Sequence, residues 1–311
     1  MEISVIMSVY NTEEEFLRES INSILGQTFK DFEFIIISDG SNEKTLEILD
    51  SYKDERIVRI KNEENIGLTK SLNKGLRVAR GKYIARMDAD DVSYKDRLEK
   101  QYHYMEKHKE STILGARTTD GNRIQKYDGK IATESRKVRM LFGNSGIAHP
   151  TAFIRSSFLK QNNILYDEQI KKAQDYRLWI ECLKRGAKMT VYPQVLLLYR
   201  IHKNQISKDT NGEQEKYKQM IRRDLITEIL PEITEKELEQ FLNLKEKILS
   251  VEEFLDFCKK IEEKNKEKKL YDSACLHYEL HDFTRRLYKE VKPEGLGYYV
   301  YRIKRTIDKM R

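Results

Sequence analysis

The chain has 311 residues, of which 39% are hydrophobic and 35% charged, and its formal net charge is +7. No apolar run approaches the roughly 20 residues that span a bilayer, which argues against a membrane-spanning protein. The charge permits an anionic partner, but neither zinc-finger spacing nor an aromatic RNA-binding motif accompanies it, so nucleic acid is not expected as a partner.

The N-terminus and the cysteines indicate the compartment. MEISVIMSVY has neither the basic leader nor the small-residue cleavage site of an export signal. We therefore expect a first strand here and a cytoplasmic protein. Cys182, Cys258 and Cys275 are far apart and form no CxxC pair, unlike a disulfide framework or a cysteine zinc site. We expect three reduced thiols in the core.

The first ninety residues alternate between short apolar runs and amphipathic segments. The runs EISVIMSVY, EFIIIS, RIVRI and KYIARM are rich in Ile and Val, as in parallel strands that are covered on both faces. The first helix is predicted to begin at Thr12, with Glu15 completing a capping box, and to end at Gly26. LTKSLNKGLRVAR, between the third and fourth apolar runs, is predicted to form the third helix. The β-α-β-α-β-α-β order predicts a mostly parallel, Rossmann-like α/β sheet.

Polar segments follow three of these strands: SVYN, SDGS and MDADD. Ligands of such sheets bind beyond the carboxyl ends of the strands, so the three segments are expected on one rim. In MDADD, Asp88 and Asp90 project to the same side of an extended chain. Their carboxylates could converge on one hard cation, Mn²⁺ or Mg²⁺, or on one sugar.

Two other interpretations of MDADDVS stay open. Ser93 and Asp96 resemble a capping box for the following helix, whose N-terminus Asp90 or Asp91 could favour. DADDV also fits the D-x-D-x-[TV] pattern of haloacid-dehalogenase-like phosphohydrolases, in which the first Asp is a nucleophile. That fold would place the motif in its first strand, before a later G-D-x-x-x-D. Three strand-helix units precede Asp88, and no such later motif occurs.

The character of the sequence changes near residue 208. Beyond it, apolar residues recur every three or four positions in long charged segments, which predicts helices. We expect a domain at 1–208 and a helical C-terminal region at 209–311. The last segment, LGYYVYRIKRTIDKMR, mixes aromatic and basic residues. It could lie on an anionic membrane surface, pack on the first domain, or join two copies in a homo-oligomer.

Seven motifs follow one another along the chain: SVIMSVYN, SDGS, NIGLTKSLNKGL, KYIARMDADD, AHPTAFIR, AQDYRLW and YRIHKNQIS. This ordered series resembles the family-2 glycosyltransferases of GT-A fold. The resemblance covers about residues 1–207 and is closest to bacterial enzymes of capsule, exopolysaccharide or lipopolysaccharide synthesis. It implies metal-dependent, inverting transfer of a hexose or N-acetylhexosamine from a nucleotide sugar. The acceptor would be a surface glycan or lipid-linked saccharide at the inner face of the cell membrane.

The resemblance implies roles for residues of a nucleotide site. Tyr10 and Asn11 match the segment that wraps the nucleobase. Asp39 matches the carboxylate that accepts a hydrogen bond from the uracil N–H, which implies a UDP-sugar. Asn65 and Lys70 match positions that line the nucleotide pocket, although a lone lysine on a helix face is more often solvated.

It also implies roles in metal binding and chemistry. Asp88 and Asp90 match the DxD pair, with Asp90 as a direct metal ligand and Asp88 towards the ribose and the metal. Asp175 matches the catalytic base, which takes the proton of the acceptor hydroxyl. Arg200 and His202 match an R-x-H segment that contacts the diphosphate or the metal.

Departures and alternatives remain beside these roles. Ser38 and Gln174 stand where the family often has acidic residues next to the matched aspartates. Asp175 could instead cap the helix that begins there, and His149 could be a structural histidine before a turn proline. A non-catalytic nucleotide-sugar-binding or scaffold protein is the other functional alternative, and the intact Asp90 and Asp175 argue against it.

Overall fold

The computed structural model describes residues 1–125, 131–143, 146–202, 212–243 and 251–291. They belong to two compact units. The first comprises Met1–Thr133 and Gly146–Tyr217, and the second Glu134–Ser145 and Lys218–Arg311. The predicted boundary at residue 208 and the predicted membrane-surface segment LGYYVYRIKRTIDKMR lie outside the described residues.

Within the described residues, eight strands form one mixed sheet in the first unit. In chain order they are β1 (Ile3–Val9), β2 (Phe32–Asp39), β3 (Ile57–Asn62), β4 (Tyr83–Asp88), β5 (Val92–Ser93), β6 (Ile113–Thr119), β7 (Phe153–Arg155) and β8 (Met189–Leu198). Their spatial order is β3-β2-β1-β4-β7-β6-β8-β5. The pairs β1–β2, β1–β4, β2–β3 and β6–β8 are parallel, while β7 and β5 run antiparallel to their neighbours. The predicted mostly parallel sheet is confirmed.

The helices follow the predicted alternation in the first ninety residues. They are α1 (Glu14–Leu25), α2 (Glu43–Asp50), α3 (Leu68–Val78), α4 (Arg97–Lys107), α5 (Thr133–Arg139), α6 (Ser156–Gln161), α7 (Gln174–Lys184), α8 (Glu213–Ile229), α9 (Glu235–Leu242), α10 (Val251–Lys268) and α11 (Ser273–Val291). The apolar face of α1 is buried in the same core cluster as β1 and β2, because these strands are apolar on both faces and need cover.

The start predicted for the first helix is wrong. Glu13 is its N-cap residue, and its side chain makes no capping hydrogen bond. The residues before it form a loop in which Asn11 has a left-handed backbone (φ 47°). Asn11 Oδ1 accepts a hydrogen bond from the backbone N–H of Asn42 (2.8 Å). The residues up to Thr12 are therefore held in a loop, and the helix begins after them.

The predicted helices of the C-terminal region are found at α8, α9, α10 and α11. The second unit has its own apolar core, in which Phe142 stacks on Phe283 with ring centroids 3.9 Å apart. Cys182 in the first unit and Cys258 in the second are buried free thiols, whereas Cys275 is half-buried. Among the described residues, none of the helices combines the length and apolar character needed to cross a bilayer.

Candidate active site

A cavity of about 920 Å³ lies in the first unit beyond the carboxyl ends of β1, β2 and β4. Most of the predicted site residues line it: Tyr10, Asn11, Asp39, Asn65, Asp88, Asp90, Asp175 and His202. Strand register explains why they meet. Ser8 of β1 is level with Asp88 of β4, and Val9 is level with Ser38 of β2. The rim predicted from the three polar segments is therefore one continuous surface.

Two predicted residues are absent from this lining. Lys70 is exposed on α3, as expected for a solvated lysine. Arg200 follows β8, and its guanidinium lies 4.8 Å from the centre of the Phe16 ring and pairs with Glu19. One of its N–H groups donates to the backbone oxygen of Asp90 (3.0 Å). In this structure Arg200 therefore binds the backbone of the acidic segment and does not line the cavity.

Tyr10 and Asn11 form one end of the cavity. Asn11 fixes the turn after β1 through its bond to the backbone of Asn42, the residue whose side chain caps α2. Tyr10, by contrast, is 53% exposed. A rigid turn that presents an unburied aromatic ring at a cavity offers a stacking surface for a planar ligand group.

Asp39 fixes the loop between β3 and α3. It is 2% exposed, and its carboxylate accepts hydrogen bonds from the side chain of Asn62 and the backbone N–H groups of Ile66 and Gly67, each at 2.9 Å. A carboxylate has about four acceptor sites, so it retains capacity for one further donor. The sequence predicts the contact with a base but not this second duty of fixing the start of α3.

Gly40 allows the same loop to come close. A Cβ atom at Gly40 would lie 2.3 Å from the backbone nitrogen of Asn65, and its φ of +66° is left-handed. Both the contact and the backbone angle therefore require glycine.

The acidic segment, residues 88–91, lies at the end of β4, and two of its carboxylates contact basic side chains. Asp88 pairs with Arg86, and the Asp88 side chain is 29% exposed. Asp90 Oδ2 lies 2.8 Å from Nε2 of His202. Asp91 is fully buried, and its Oδ1 accepts from the backbone N–H of Arg200 (3.0 Å).

These carboxylates shift one another's protonation. Burial raises the pKa of Asp88, an effect that the Arg86 guanidinium opposes and the Asp90 charge reinforces. Burial, followed by the charges of Asp88 and Asp90, raises the pKa of Asp91 to about 9. Asp91 Oδ2 has no hydrogen-bond partner among the described residues. Asp88 and Asp90 therefore place two mutually repelling carboxylates at the cavity.

Two buried arginines behind the segment were missed from the sequence. Arg97 donates to the backbone oxygen of Arg86 (2.7 Å) and to Gln101 (3.0 Å), and burial lowers the pKa of Arg97 to about 9 while the Asp91 charge opposes the shift. Arg86 is 3% exposed, and two of its nitrogens have no partner among the described residues. A basic residue inside an otherwise apolar strand, as in KYIARM, was the signal.

The capping-box interpretation of Ser93 is wrong. Ser93 lies in β5, paired with Leu197 of β8, and its backbone N–H donates to Ser23 Oγ (3.0 Å). Helix α4 begins only at Arg97, with Asp96 as an N-cap residue whose side chain makes no capping bond. Asp90 and Asp91 are therefore separated from that helix by a strand.

Asp175 lies in the first turn of α7 and faces the same cavity. Ala173, with a left-handed φ of 59°, is the N-cap residue, so Asp175 does not hold the cap position. His149 also lines the cavity, but its Nε2 is 2.7 Å from the Tyr166 hydroxyl. Burial, and to a smaller extent the charge of Arg86, lowers the pKa of His149 well below its ordinary value. A neutral, hydrogen-bonded imidazole fits the structural alternative.

The residues present fit a divalent cation. Asp88 and Asp90 offer carboxylate oxygens to one cavity, which is the ligand type that Mn²⁺ and Mg²⁺ prefer. Burial, reinforced by the charge of Asp90, raises the pKa of Asp88, and a bound cation would oppose both effects. His202 lies on Asp90 as an outer partner, the arrangement that orients ligating carboxylates in metal sites.

The mixed α/β sheet and the helical C-terminal region are those of a GT-A fold. Among solved structures, S. aureus TarS 1–349 in complex with UDP-GlcNAc superposes with a TM-score of 0.63 at 21% identity, over 92% of this chain and 88% of that one. A family model for glycosyl transferase family 2 matches residues 4–162. The chain belongs to this family. Asp175, Arg200 and His202 lie beyond the matched residues.

Two relatives extend the similarity. An uncharacterised glycosyltransferase of Haemophilus influenzae is 35% identical over 247 residues, covering 74% of this chain and 75% of the relative. The Escherichia coli protein named UDP-Glc:alpha-D-GlcNAc-diphosphoundecaprenol beta-1,3-glucosyltransferase WfaP is 29% identical over 220 residues, covering 71% and 83%.

Proposed function

We propose that the chain is an inverting, metal-dependent glycosyltransferase. It moves a hexose or N-acetylhexosamine from a UDP-sugar to a hydroxyl of a bacterial surface glycan or of its lipid-linked intermediate. One observation carries the proposal: Asp175 opens into the same cavity as the Asp88 and Asp90 pair. A donor site and a candidate base therefore share one space. The names of the E. coli relative and of the TarS complex support the choice of donor and acceptor.

The base-binding end follows from the rim. The exposed ring of Tyr10 stacks on the uracil, and Asp39 accepts a hydrogen bond from the uracil N–H with its remaining capacity. Because Asp39 also fixes the loop of Asn65, base recognition and the shape of the pocket depend on one carboxylate. Lys70, on the exposed face of α3, is the least supported of the nucleotide residues.

The diphosphate end follows from the acidic segment. Asp90 and Asp88 would hold Mn²⁺ or Mg²⁺, which when bound neutralises the charge that develops on the nucleoside diphosphate leaving group. His202 and Arg200 keep Asp90 in place. His202 contacts the carboxylate of Asp90, and the guanidinium of Arg200 donates to the backbone oxygen of Asp90. His202 also lines the cavity, beside the space that the diphosphate would occupy.

Asp175 does the proton chemistry. Its carboxylate accepts the proton of the acceptor hydroxyl while that oxygen bonds to the anomeric carbon from the side opposite the diphosphate. The anomeric C–O bond breaks in the same step, and the electron pair leaves with the nucleoside diphosphate. One displacement inverts the anomeric configuration. We place this reaction at the inner face of the cell membrane, where a lipid-linked acceptor would be reached.

A donor panel tests the function. The untagged full chain is incubated with Mn²⁺ or Mg²⁺ and, separately, with UDP-, GDP- and dTDP-sugars, and release of the nucleoside diphosphate is measured. We expect slow release from a UDP-sugar only with metal present. Turnover of GDP- or dTDP-sugars alone would overturn the role of Asp39, and absence of both binding and release for every donor would favour the scaffold alternative.

A further inference from the structure

The second unit contains a cluster of metal-ligating side chains that the proposed reaction does not use. Glu262 lies on α10, and His277 and His281 lie four residues apart on α11. One ligand atom from each of the three residues lies within 4.8 Å of the others. Residues four apart share a helix face, so the two imidazoles meet one carboxylate of the neighbouring helix.

The distances suit a small ion. His277 Nδ1 is 2.9 Å from Glu262 Oε1, and His281 Nε2 is 3.9 Å from the same oxygen. Ligands of tetrahedral zinc, which bind at about 2.0–2.2 Å from the metal, lie roughly 3.3 Å apart. The two observed separations bracket that value, so small side-chain shifts would bring the donors to bonding distance.

The surroundings give an ion access to the cluster. The side chains of Glu262, His277 and His281 are 24%, 30% and 21% exposed, so water can reach the cluster and complete the coordination. A simple ion pair between Glu262 and His277 would account for only one of the two imidazoles, which are tilted against each other with ring centroids 4.3 Å apart.

We propose that Glu262, His277 and His281 bind a divalent transition-metal ion, with zinc as the best fit. Imidazole nitrogen suits zinc and the later first-row metals, whereas Mg²⁺ and Mn²⁺ prefer the oxygen ligands of the active site. Two histidines and one carboxylate are an established zinc-ligand set. Bound there, the ion cross-links α10 to α11 within the second unit. This site is independent of the proposed transfer reaction.

Metal titration of the untagged full chain tests the site. Excess Mg²⁺ is present throughout to occupy oxygen-ligand sites, and Zn²⁺ binding is measured by calorimetry, with Co²⁺ absorption reporting nitrogen coordination. We expect one ion per chain and a higher unfolding midpoint with Zn²⁺. H277Q and H281Q should each weaken binding by at least about tenfold, since even outer partners of a metal site are worth that much. H103Q, which changes an exposed histidine of the first unit, should bind like the unchanged chain.

Other outcomes contradict the proposal. Absence of Zn²⁺ and Co²⁺ binding would overturn it, as would binding that survives in both H277Q and H281Q. Circular dichroism and cooperative unfolding establish that each variant is folded. If a histidine variant fails that check, Glu262→Gln decides the question, because it keeps the side-chain size and removes the carboxylate. Unchanged Zn²⁺ affinity in Glu262→Gln would then refute the site.

Discussion

Nε2 of His202 lies 2.8 Å from Oδ2 of Asp90, although the two residues are 112 positions apart in the sequence. The contact joins the segment after β8 to the acidic segment after β4. Asp91 repeats the connection through its bond from the backbone N–H of Arg200. The proposed metal ligand is therefore oriented by residues from the far end of the first unit.

His202→Ala should weaken use of the metal more than it weakens the fold. Removing an outer partner of a ligating carboxylate typically costs about 10–100-fold in metal affinity or activity. We expect the Mn²⁺ concentration for half-maximal donor hydrolysis to rise by at least about tenfold, with little change at saturating metal. His103→Ala, at an exposed position on α4, is the matched control. An unchanged metal dependence would show that His202 does not serve Asp90.

Asp175→Asn should abolish transfer and keep donor binding. The amide has nearly the same shape but cannot accept the hydroxyl proton, and general-base catalysis is worth about 10²–10⁴-fold. The readouts are the rate of transfer to an acceptor and the affinity for UDP-sugar measured with metal. Loss of donor binding with normal unfolding would mean that Asp175 shapes the pocket and does not act as the base.

Gly40→Ala should destabilise the first unit and impair donor binding. The added methyl would lie 2.3 Å from the Asn65 backbone, and the backbone is left-handed at this residue. Strain at a left-handed position costs of the order of 1–3 kcal/mol, and the clash adds to it. Gly121→Ala is the control, because Gly121 is also left-handed (φ +93°) but a Cβ there meets nothing within 4 Å. Equal unfolding free energies for the two variants would contradict the close approach.

Asp54→Asn should lose stability in a pH-dependent way. The fork of Arg56 bonds both oxygens of Asp54 (2.9 and 2.7 Å) and lowers the pKa of Asp54 to about 2. Because the folded-state pKa lies below the ordinary 3.8, this stabilisation is present above about pH 4 and disappears as the pH falls through about 2.

Urea unfolding at neutral and acidic pH measures that effect. At pH 7 we expect Asp54→Asn to cost about 1–2 kcal/mol, a value reduced for the partial exposure of the pair. The difference from the unchanged chain should shrink towards pH 2. Glu63→Gln, at an exposed acidic position of the same unit, should show little difference at either pH. A constant cost for Asp54→Asn at all pH values would exclude the ion pair as its origin.

The sequence predicts those parts of the fold that local pattern controls. Continuous apolar runs such as those of β1 and β2 are typical of parallel strands covered on both faces. The polar ends Asp39 and Asp88 lie on one rim because parallel strands end together. Ser93 was mistaken for a helix cap because its strand has two residues and exists only through pairing with β8. That pairing is non-local, so no window of the sequence around residue 93 contains it.

The supporting residues of the site escaped prediction for a related reason. Arg86 and Arg97 are both buried behind the acidic segment, and only Arg86 has a local signal, its place inside an apolar strand. Their acceptors, the carboxylate of Asp88 and the backbone oxygen of Arg86, are near in the sequence, but the burial of both arginines depends on the packing of the whole unit. The type of residue needed at the cavity is visible in the motifs, whereas the charges that stabilise it become visible only after folding.

The pairing of β5 with β8, in which Val92 meets Leu198 and Ser93 meets Leu197, has a consequence for protein engineering. A two-residue strand has no stability of its own. Residues 86–93 and 196–202 should therefore be exchanged together. Chimeras between family members should transplant both stretches from the same parent. A crossover that takes the acidic segment from one parent and the end of β8 from another would combine mismatched halves of this pairing, even if every residue facing the cavity were retained.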